Sequence, residues 1–413
     1  MRLQAALGIA VLIAFAWAIS EDRRGVRLGE IVTGLLVTFL MAAMMLKIPL
    51  LRSLFDVLNR GVSLLEDSTR AGTSFVFGYL GGGSLPFEEK PSGSSFVLAL
   101  RALPIVLVVS ALSSLLFYWR ILPVVVRVFA WVFEKTMRIG GAVGLAASAN
   151  VFLGMVESPL FVRPYLREMS RCELFITMSC GMAGIAGTVM VLYAAILRPV
   201  IPDVMGHILI VSIISIPAAI MISKVMVPET GGRTAGRLSP PQQATSALDA
   251  ITRGTTEGIG LLINIVAMLV VLVALVALAN GLLGLLPSLL GRPVTLQRLL
   301  GYIMAPVVWL IGIPWSEAQV AGGLMGTKTI LNEMIAYLDM ARLPPGSLGP
   351  KSRLIMVYAL CGFANPGSLG IMIGGMGGMV PERRPEIIGL GIKSIVAGTL
   401  ATLLTGAIVA IIT

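Results

Sequence analysis

Charged residues are scarce in this chain, and histidine and cysteine are scarcer still. Asp, Glu, Lys and Arg make up 13% of its 413 residues, against about 25% in a typical soluble domain. A single histidine, His207, excludes a His-based catalytic centre, and the three cysteines, Cys172, Cys180 and Cys361, give neither a disulfide framework nor a zinc site. The remainder is 56% hydrophobic, with a mean hydropathy of +0.93. This composition predicts an all-α polytopic membrane protein.

The positive charges exclude nucleic acid as a partner and predict a topology. The net charge is +10, but the basic residues are scattered between apolar segments instead of forming one patch. They follow alternate apolar segments, which by the positive-inside rule places both termini outside. The acidic and basic residues after the first apolar segment do not form a signal-peptide cleavage site, so we expect this segment to be retained. The basic groups are Arg23, Arg24 and Arg27; Arg120 to Arg138; Arg233 and Arg237; and Arg383 and Arg384.

Apolar runs long enough to cross a bilayer predict about eight transmembrane helices. They are Leu3–Ser20, Ile31–Leu51, Phe96–Trp119, Leu174–Leu197, Met205–Val227, Gly258–Leu286, Leu354–Ile373 and Ile387–Ile412. Charges at helical spacing predict two interfacial helices, Arg52–Leu80 and Leu122–Arg138. Gly, Pro and Ser predict loops at Gly81–Ser95, Pro228–Ser246 and Leu343–Lys351. The segment Leu289–Gln297 precedes an apolar stretch that reaches Ile313.

A carboxylate interrupts the apolar stretch Ala149–Pro164, where Gly154 and Pro159 flank Glu157 and an amide, Asn150, lies nearby. A charge at the centre of a bilayer costs roughly 2.5–3.5 kcal/mol on insertion scales, so such a residue usually has a function. The flanking helix breakers favour a re-entrant hairpin over a continuous span, and its unwound tip would expose backbone groups to a ligand. The alternative is that the carboxylate caps a helix or pairs with a basic residue at the interface.

A second stretch, Gly326–Tyr337, repeats this pattern with Lys328, Asn332 and Glu333. For Lys328, snorkelling to the interface and a functional role are equally compatible with the sequence. We expect the two interruptions to face each other at the membrane midplane and to bind a small polar solute between them.

A short repeat supports two related halves. Each hairpin is followed by Ser-Arg and then by a Cys-Gly-x-Ala core, at Cys180–Ala183 and at Cys361–Ala364. Interrupted segments at matching positions in two halves are typical of transporters built from inverted repeats. After the second core, Asn365, Pro366 and Gly367 predict local unwinding, which would offer the Asn365 amide and the Ser368 hydroxyl to a ligand. The alternative is a packing kink in which Ser368 bonds back to its own helix.

These motifs resemble the concentrative nucleoside transporters. The resemblance rests on GMVESP at 154–159, GTKTILNEMIAY at 326–337, YALCGFAN at 358–365 and PERR at 381–384, and it covers the chain from about Phe96 to its end. It implies a homotrimer in the bacterial inner membrane, with eight spans, two re-entrant hairpins and a transport domain that moves like an elevator. It also implies uptake of nucleosides driven by a sodium or proton gradient, with no other cofactor and with lipid as the surrounding partner.

The implied domains follow the hairpins. Residues 1–95 would hold the N-terminal spans and an interfacial helix, 96–138 a scaffold span and amphipathic helix, and 228–257 a polar loop. Residues 258–299 would form a second scaffold span. The transport domain would combine residues 139–227 and 300–413, each with one hairpin.

The resemblance also implies a substrate site. Glu333, Asn365 and Ser368 would hold the ribose hydroxyls, while Phe363 and Val189 would pack on the base and Glu157 would lie at the base side. The family usually has Gln and Thr or Ser where this chain has Met155 and Val156. Each lost base contact weakens discrimination by about 1–3 kcal/mol, so we expect a different base preference or a ribosyl-like solute.

The cation site implied by the resemblance is altered as well. Asn150 is present, and Leu153 and Ile185 are available as carbonyl donors, but Gly184 occupies a position where sodium-coupled members have a hydroxyl. Hard cations require oxygen ligands, so the sequence slightly favours proton coupling through Glu157 or Glu333 over sodium coupling.

Two other functions remain open from the sequence. A membrane-embedded enzyme would use the two carboxylates as acid and base, but no nucleophile or metal-ligand cluster accompanies them. A homologue that has lost transport is favoured only by Met155 and Val156. We expect a transporter and not an enzyme.

Overall fold

The computed structural model describes residues 1–88, 95–236, 244–287 and 293–413, and within these ranges every regular element is a helix. The first half contains α1 (Arg2–Ala18), α2 (Leu28–Lys47), α3 (Pro49–Phe77), α4 (Leu98–Arg101), α5 (Ile105–Tyr118), α6 (Ile121–Met137), α7 (Gly141–Ala149), α8 (Glu157–Leu160), α9 (Arg171–Ala183), α10 (Gly187–Leu197) and α11 (Val204–Met226). The second half contains α12 (Ala247–Leu283), α13 (Leu296–Leu310), α14 (Trp315–Ile330), α15 (Glu333–Ala341), α16 (Pro350–Leu360), α17 (Pro366–Met379) and α18 (Arg384–Ile412). Three short 3-10 turns lie at Gly78–Gly81, Arg163–Tyr165 and Pro381–Arg383.

Six helical stretches in the described residues are long and apolar enough to cross a bilayer: Leu28–Lys47, Leu98–Tyr118, Arg171–Leu197, Val204–Met226, Ala247–Leu283 and Pro381–Ile412. They correspond to six of the eight expected spans. The first expected span is a shorter apolar helix, α1, and the seventh is divided into α16 and α17. The all-helical, multi-pass architecture expected from the sequence is confirmed.

The amphipathic segment Leu122–Arg138 is helical, as expected, and corresponds to α6. Its buried positions, Pro123, Val126, Ala130, Phe133 and Met137, recur every three or four residues along one face. Trp131 and Val128 on the other side are exposed. The other segment expected to be interfacial is also helical, and its helix α3 begins at Pro49, where the absent N–H of proline costs nothing.

The polar loop ends where the bounds Pro228–Ser246 predict, and only the domain bounds 228–257 extend it too far. Helix α12 begins at Ala247, so residues 247–257 of the expected loop 228–257 are helical. The start was readable, because the Ser246 side chain accepts a hydrogen bond from the Asp249 N–H at 3.1 Å, a common N-cap arrangement. Residues 237–243 of this loop lie outside the described residues, as do residues 89–94 of the loop Gly81–Ser95. Of Leu289–Gln297, residues 289–292 lie outside the described residues, residues 293–295 precede α13, and α13 begins at Leu296.

Burial divides the helices into two groups. In α11, 94% of the most apolar window is buried inside the protein, whereas in α12 only 6% is buried. An apolar helix that the chain itself does not cover must contact lipid or another protein chain. The helices α9, α11 and α18 form the centre of the fold, and α12 lies at its margin against α5.

Different contacts join the helices at the two ends of the bundle. At one end Glu21 accepts hydrogen bonds from Arg171 at 2.8 Å and from Lys393 at 2.6 Å, which hold the pKa of this carboxyl at about 2. At the other end Ala5 and Ala410 meet at Gly312, whose φ of 109° and lack of a Cβ permit the sharp turn between α13 and α14. These two helices are bent by 117° relative to each other.

Candidate functional site

Two broken helices cross at the centre of the protein. The break between α9 and α10 covers residues 184–186, and the break between α16 and α17 covers residues 361–365. The Phe363 N–H donates to the Gly184 carbonyl at 3.2 Å. A Cβ on Gly362 would lie 2.9 Å from the carbonyl oxygens of Met182 and Ala183, so only glycine allows this approach. The two Cys-Gly-x-Ala cores therefore meet.

Two asparagine caps present helix N-termini at this crossing. Asn332 Oδ1 accepts from the Ile335 N–H at 2.9 Å and begins α15. Asn365 Oδ1 accepts from the Ser368 N–H at 2.8 Å and begins α17. The first residues of both helices line the same cavity. A helix N-terminus favours negative charge or electron-rich groups beside it, which suits the position of Glu333 in the first turn of α15.

Glu333 is buried, with 4% of its surface exposed, and polar groups from other helices hold it. The Tyr193 hydroxyl of α10 donates to Glu333 Oε1 at 2.6 Å. Asn365 Nδ2 donates to Oε2 at the longer distance of 3.5 Å. A carboxylate has about four lone-pair positions, so it retains the capacity to accept hydrogen bonds from a ligand hydroxyl. The structure brings together Glu333, Asn365 and Ser368, as expected.

The first hairpin is built differently. It consists of α7, a non-helical tip at residues 150–156 and the short helix α8, which begins at Glu157. The Glu157 side chain is exposed and faces the cavity. The carboxylate folds back over Gly154, where a Cβ would lie 2.2 Å from Glu157 Oε2.

Met155 and Val156 pack against glycines of neighbouring helices. A Cβ on Gly181 of α9 would lie 2.9 Å from Met155 Cβ, and a Cβ on Gly375 of α17 would lie 2.5 Å from Val156 Cγ1. Met155 is 7% exposed. Both residues nevertheless line the cavity, together with Val189 and Phe363. The expected substrate residues of both hairpins and both breaks thus share one cavity.

The cavity is large, about 1670 Å³, and its outer wall was missed by sequence reasoning. Helix α12 contributes Arg253, Glu257 and Asn264 to the lining, and Glu257 lies within electrostatic range of Glu157. The signal was available, because Glu257 and Asn264 are two turns apart on one face of an apolar helix. Tyr193 was missed too, although it lies one turn after Val189 on the same helix face.

The expected cation residues lie together, but Asn150 is engaged. Its Nδ2 donates to the Cys180 carbonyl at 2.7 Å, which leaves Oδ1 beside the Ser158 hydroxyl at 3.4 Å. A Cβ on Gly184 would lie 2.3 Å from that Nδ2, so the amide occupies the space that a side chain at 184 would need. Ile185 is buried and Leu153 is half-buried in the adjoining turns. The described residues hold no cluster of three or more His, Cys, Asp or Glu suited to a metal ion.

Lys328 is fully buried, with 0% exposure, so the snorkelling alternative is wrong. Its Nζ lies 3.5 Å from Thr402 Oγ1 of α18. It does not line the cavity between the hairpins but lies behind it, in the last turn of α14.

Three family models match this chain. Residues 207–410 match the C-terminal model of the Na+ dependent nucleoside transporters, residues 7–80 match the N-terminal model, and residues 99–200 match a nucleoside recognition (Gate) model. Together they cover both hairpins and both broken helices.

Curated relatives match over nearly the whole chain. The uncharacterized transporter YutK of Bacillus subtilis is 35% identical and covers 97% of each chain. Nucleoside permease NupC of Helicobacter pylori is 32% identical, over 97% of this chain and 96% of its own.

Solved structures agree with the fold. CNTnw in an inward-facing substrate-bound state has a TM-score of 0.90 at 34% identity, over 100% of this chain and 99% of that chain. A variant of CNTnw in an intermediate 1 state has a TM-score of 0.92 at 34% identity, over 100% of both chains. The apolar, all-helical fold, the paired hairpins and these matches lead to one conclusion: the chain belongs to the Na+ dependent, concentrative nucleoside transporter family, whose members are permeases and not enzymes.

Proposed function

We propose that this chain imports nucleosides by cation symport across a bacterial inner membrane, with the substrate bound between the two hairpins. The observation that carries the proposal is the buried Glu333 carboxylate, held by Tyr193 and Asn365 at the edge of a cavity. A buried carboxylate with remaining acceptor capacity at a helix N-terminus suits a pair of ribose hydroxyls. Ser368, in the first turn of α17, adds a hydroxyl beside them.

The base would lie toward the first hairpin. Phe363 offers an aromatic face and Val189 an apolar one, and both line the cavity. Met155 and Val156 offer no hydrogen bond to a base edge, so base selectivity would depend on Glu157 and on shape. A site of this kind accepts several bases with similar affinity, since discrimination requires buried polar groups that a wrong base leaves unpaired.

The size and position of the cavity suit a vestibule open to one side. Its volume exceeds the roughly 300–1,000 Å³ of a closed small-molecule site, and its lining extends to Gly236 and Ala244 of the polar loop. The distribution of basic residues assigns that loop to the cytoplasm. The structure therefore suits an inward-open step of the transport cycle.

Proton coupling is the form of symport that we propose. The family name indicates sodium, but the Asn150 amide donates to Cys180 and fills the space beside Gly184, where a hydroxyl ligand would stand. A sodium ion would depend on the Asn150 oxygen, the Ser158 hydroxyl and backbone carbonyls of Leu153 and Ile185. Glu157, exposed in the cavity and within electrostatic range of Glu257, would carry the proton.

The assembly that we propose is a homotrimer. Helix α12 exposes an apolar surface over most of its length, including Ile263, Val270 and Leu278. A scaffold shared by three copies would cover part of this surface, and lipid the remainder.

The deciding experiment is counterflow and net uptake in proteoliposomes with purified protein. We expect accumulation of radiolabelled uridine and adenosine driven by an inward pH gradient in sodium-free buffer. Strict dependence on sodium would refute proton coupling but not nucleoside transport. Binding of nucleosides without counterflow would instead identify a homologue that has lost transport, and failure to bind any purine or pyrimidine nucleoside would refute the substrate class.

A further inference from the structure

We propose that Lys328 is a positioning residue for the substrate site, which keeps the Glu333 carboxylate ionised from behind the hairpin tip. The proposal deepens the proposed function, because it concerns the carboxylate that would hold the ribose. Lys328 itself does not reach the cavity, so its effect on substrate would pass through Glu333.

The two charges of the second hairpin lie at opposite kinds of helix terminus. Lys328 lies in the last turn of α14 and Glu333 in the first turn of α15, with the hairpin tip between them. A cation is stabilised at a helix C-terminus and an anion at a helix N-terminus. The two half-helices therefore favour each charge where it stands. Lys328 lies two residues before the end of α14, Leu331 and Asn332 form the tip, and Glu333 is the first residue of α15.

Both charged side chains are buried. Lys328 is 0% exposed and Glu333 is 4% exposed. Removing one ion from water costs several kcal/mol even after relaxation, and an opposite charge nearby offsets part of this cost. Within the described residues, the only hydrogen bond that Lys328 Nζ makes is the 3.5 Å contact with Thr402 Oγ1, which is long for a bond to an ammonium group.

Titratable groups of neighbouring helices surround the pair. Lys328 interacts electrostatically with Glu333 and with Cys361 at the end of α16. Glu333 interacts with Lys328 and accepts from Tyr193 of α10. Tyr337 of α15 borders the same group, and its own hydroxyl donates to the Val357 carbonyl at 2.8 Å. Among these neighbours Lys328 is the one basic side chain, since tyrosine and cysteine are neutral or negative.

The test compares the pH dependence of uridine binding in wild-type protein and in Lys328→Met. If the ribose requires an ionised carboxylate, binding is lost as the pH falls and Glu333 takes up a proton. Without the positive charge the carboxylate takes up that proton more readily. We therefore expect the pH at which half of the binding is lost to rise by about one unit or more, equivalent to a tenfold change in the proton equilibrium.

Lys224→Met provides a matched control. Lys224 is the other lysine that the structure describes as buried, at 6% exposure; its Nζ pairs with Glu30 at 3.3 Å, and it does not line the cavity. Its replacement lowers stability by loss of a buried charge pair, but it should leave the pH midpoint of uridine binding where it is in the wild type. Equal midpoints in Lys328→Met and wild type would overturn the proposal.

A measurement without substrate separates this proposal from the proposed function. Thermal unfolding midpoints of Lys328→Met, Glu333→Gln and the double variant form a double-mutant cycle. We expect the double variant to be more stable than the sum of the two single effects predicts, because neither charge is left alone. Additive losses would refute the pairing, even if nucleosides bind. If Lys328→Met does not accumulate in the membrane, recovery of the double variant supports the pair and its continued absence contradicts it.

Discussion

The two hairpin tips contain one glutamate each, but they hold it in opposite ways. Glu333 is buried, accepts a 2.6 Å hydrogen bond from Tyr193 and lies close to the buried Lys328. Glu157 is exposed in the cavity, with a neighbouring carboxylate, Glu257, on the facing helix. One tip is a fixed polar site and the other is an apolar tip with a solvated charge.

Under the proposed function, this difference would make the site specific for a sugar and permissive for a base. Hydrogen-bonding groups that are already fixed lose little entropy when a ligand binds, and this favours one geometry of the ligand. At the first hairpin Met155 and Val156 are fixed as well, but by contacts with Gly181 and Gly375 and without polar groups. Such a surface contributes contact area without reading base edges.

The largest difference between the two tips is expected when each glutamate is neutralised. We expect Glu333→Gln to weaken uridine binding by about 100-fold or more, since two hydrogen bonds to a charged group contribute roughly 1.5–3 kcal/mol each. Glu157→Gln should cost less than about tenfold, because water already solvates this carboxylate. Isothermal titration calorimetry of both purified variants decides the matter. Equal losses would show that the two tips are energetically alike.

Tyr193→Phe tests whether the buried tip depends on its positioning group. It removes the hydroxyl that donates to Glu333 and should weaken uridine binding by roughly tenfold, the value of one hydrogen bond to a charged group. Tyr337→Phe is the matched control, because the two rings lie 5.2 Å apart but the Tyr337 hydroxyl donates to a backbone carbonyl. The same titration should show this control within about twofold of wild type. A larger loss in the control than in Tyr193→Phe would contradict the role of Tyr193.

The buried tip was more predictable from the sequence than the exposed one. Lys, Asn and Glu within an apolar stretch indicated a hairpin, and Asn365-Pro366-Gly367 indicated a break, because each pattern has a local cause in helix capping or ring geometry. The exposure of Glu157 to the cavity could not be predicted locally. It depends on the cavity that separates α12 from the first hairpin, and the spacing of residues along the chain does not predict that cavity.

The same distinction applies to the fold. The long apolar helices follow from composition, and both interruptions follow from helix breakers. The sequence indicated the break between α16 and α17. It did not indicate that Tyr193 and Glu257 belong to the site, because the role of a single polar residue in an apolar helix depends on which residues face it in the folded protein. The start of α12 at Ala247 agrees with the predicted loop Pro228–Ser246, and only the domain boundary at residue 257 was placed inside the helix.

Gly184→Ser adds a hydroxyl side chain beside Asn150 of the first hairpin, in the proposed ion site. A Cβ here would meet Asn150 Nδ2 at 2.3 Å, so the amide must turn and its Nδ2 leaves the Cys180 carbonyl. With a hydroxyl added, we expect uridine uptake in proteoliposomes to become several-fold faster with sodium than without it, since each added oxygen ligand favours a hard cation. Gly184→Ala is the control, because it moves the amide without adding a ligand. An equal sodium response in both variants would contradict this explanation.

Val156→Thr tests the smallest difference, the missing polar group at the base side. Threonine has the shape of valine and still fits against Gly375, while its hydroxyl can bond a base edge in the cavity. One neutral hydrogen bond contributes about 0.5–1.5 kcal/mol, so the ratio of uridine to adenosine affinity should change by roughly two- to tenfold. Val191→Thr makes the same change on α10 outside the cavity lining and should leave that ratio unaltered, because its hydroxyl cannot contact the base. An unchanged ratio in Val156→Thr would mean that the base is oriented by Glu157 or Phe363 alone, and that the apolar first tip is not the cause of permissive base recognition.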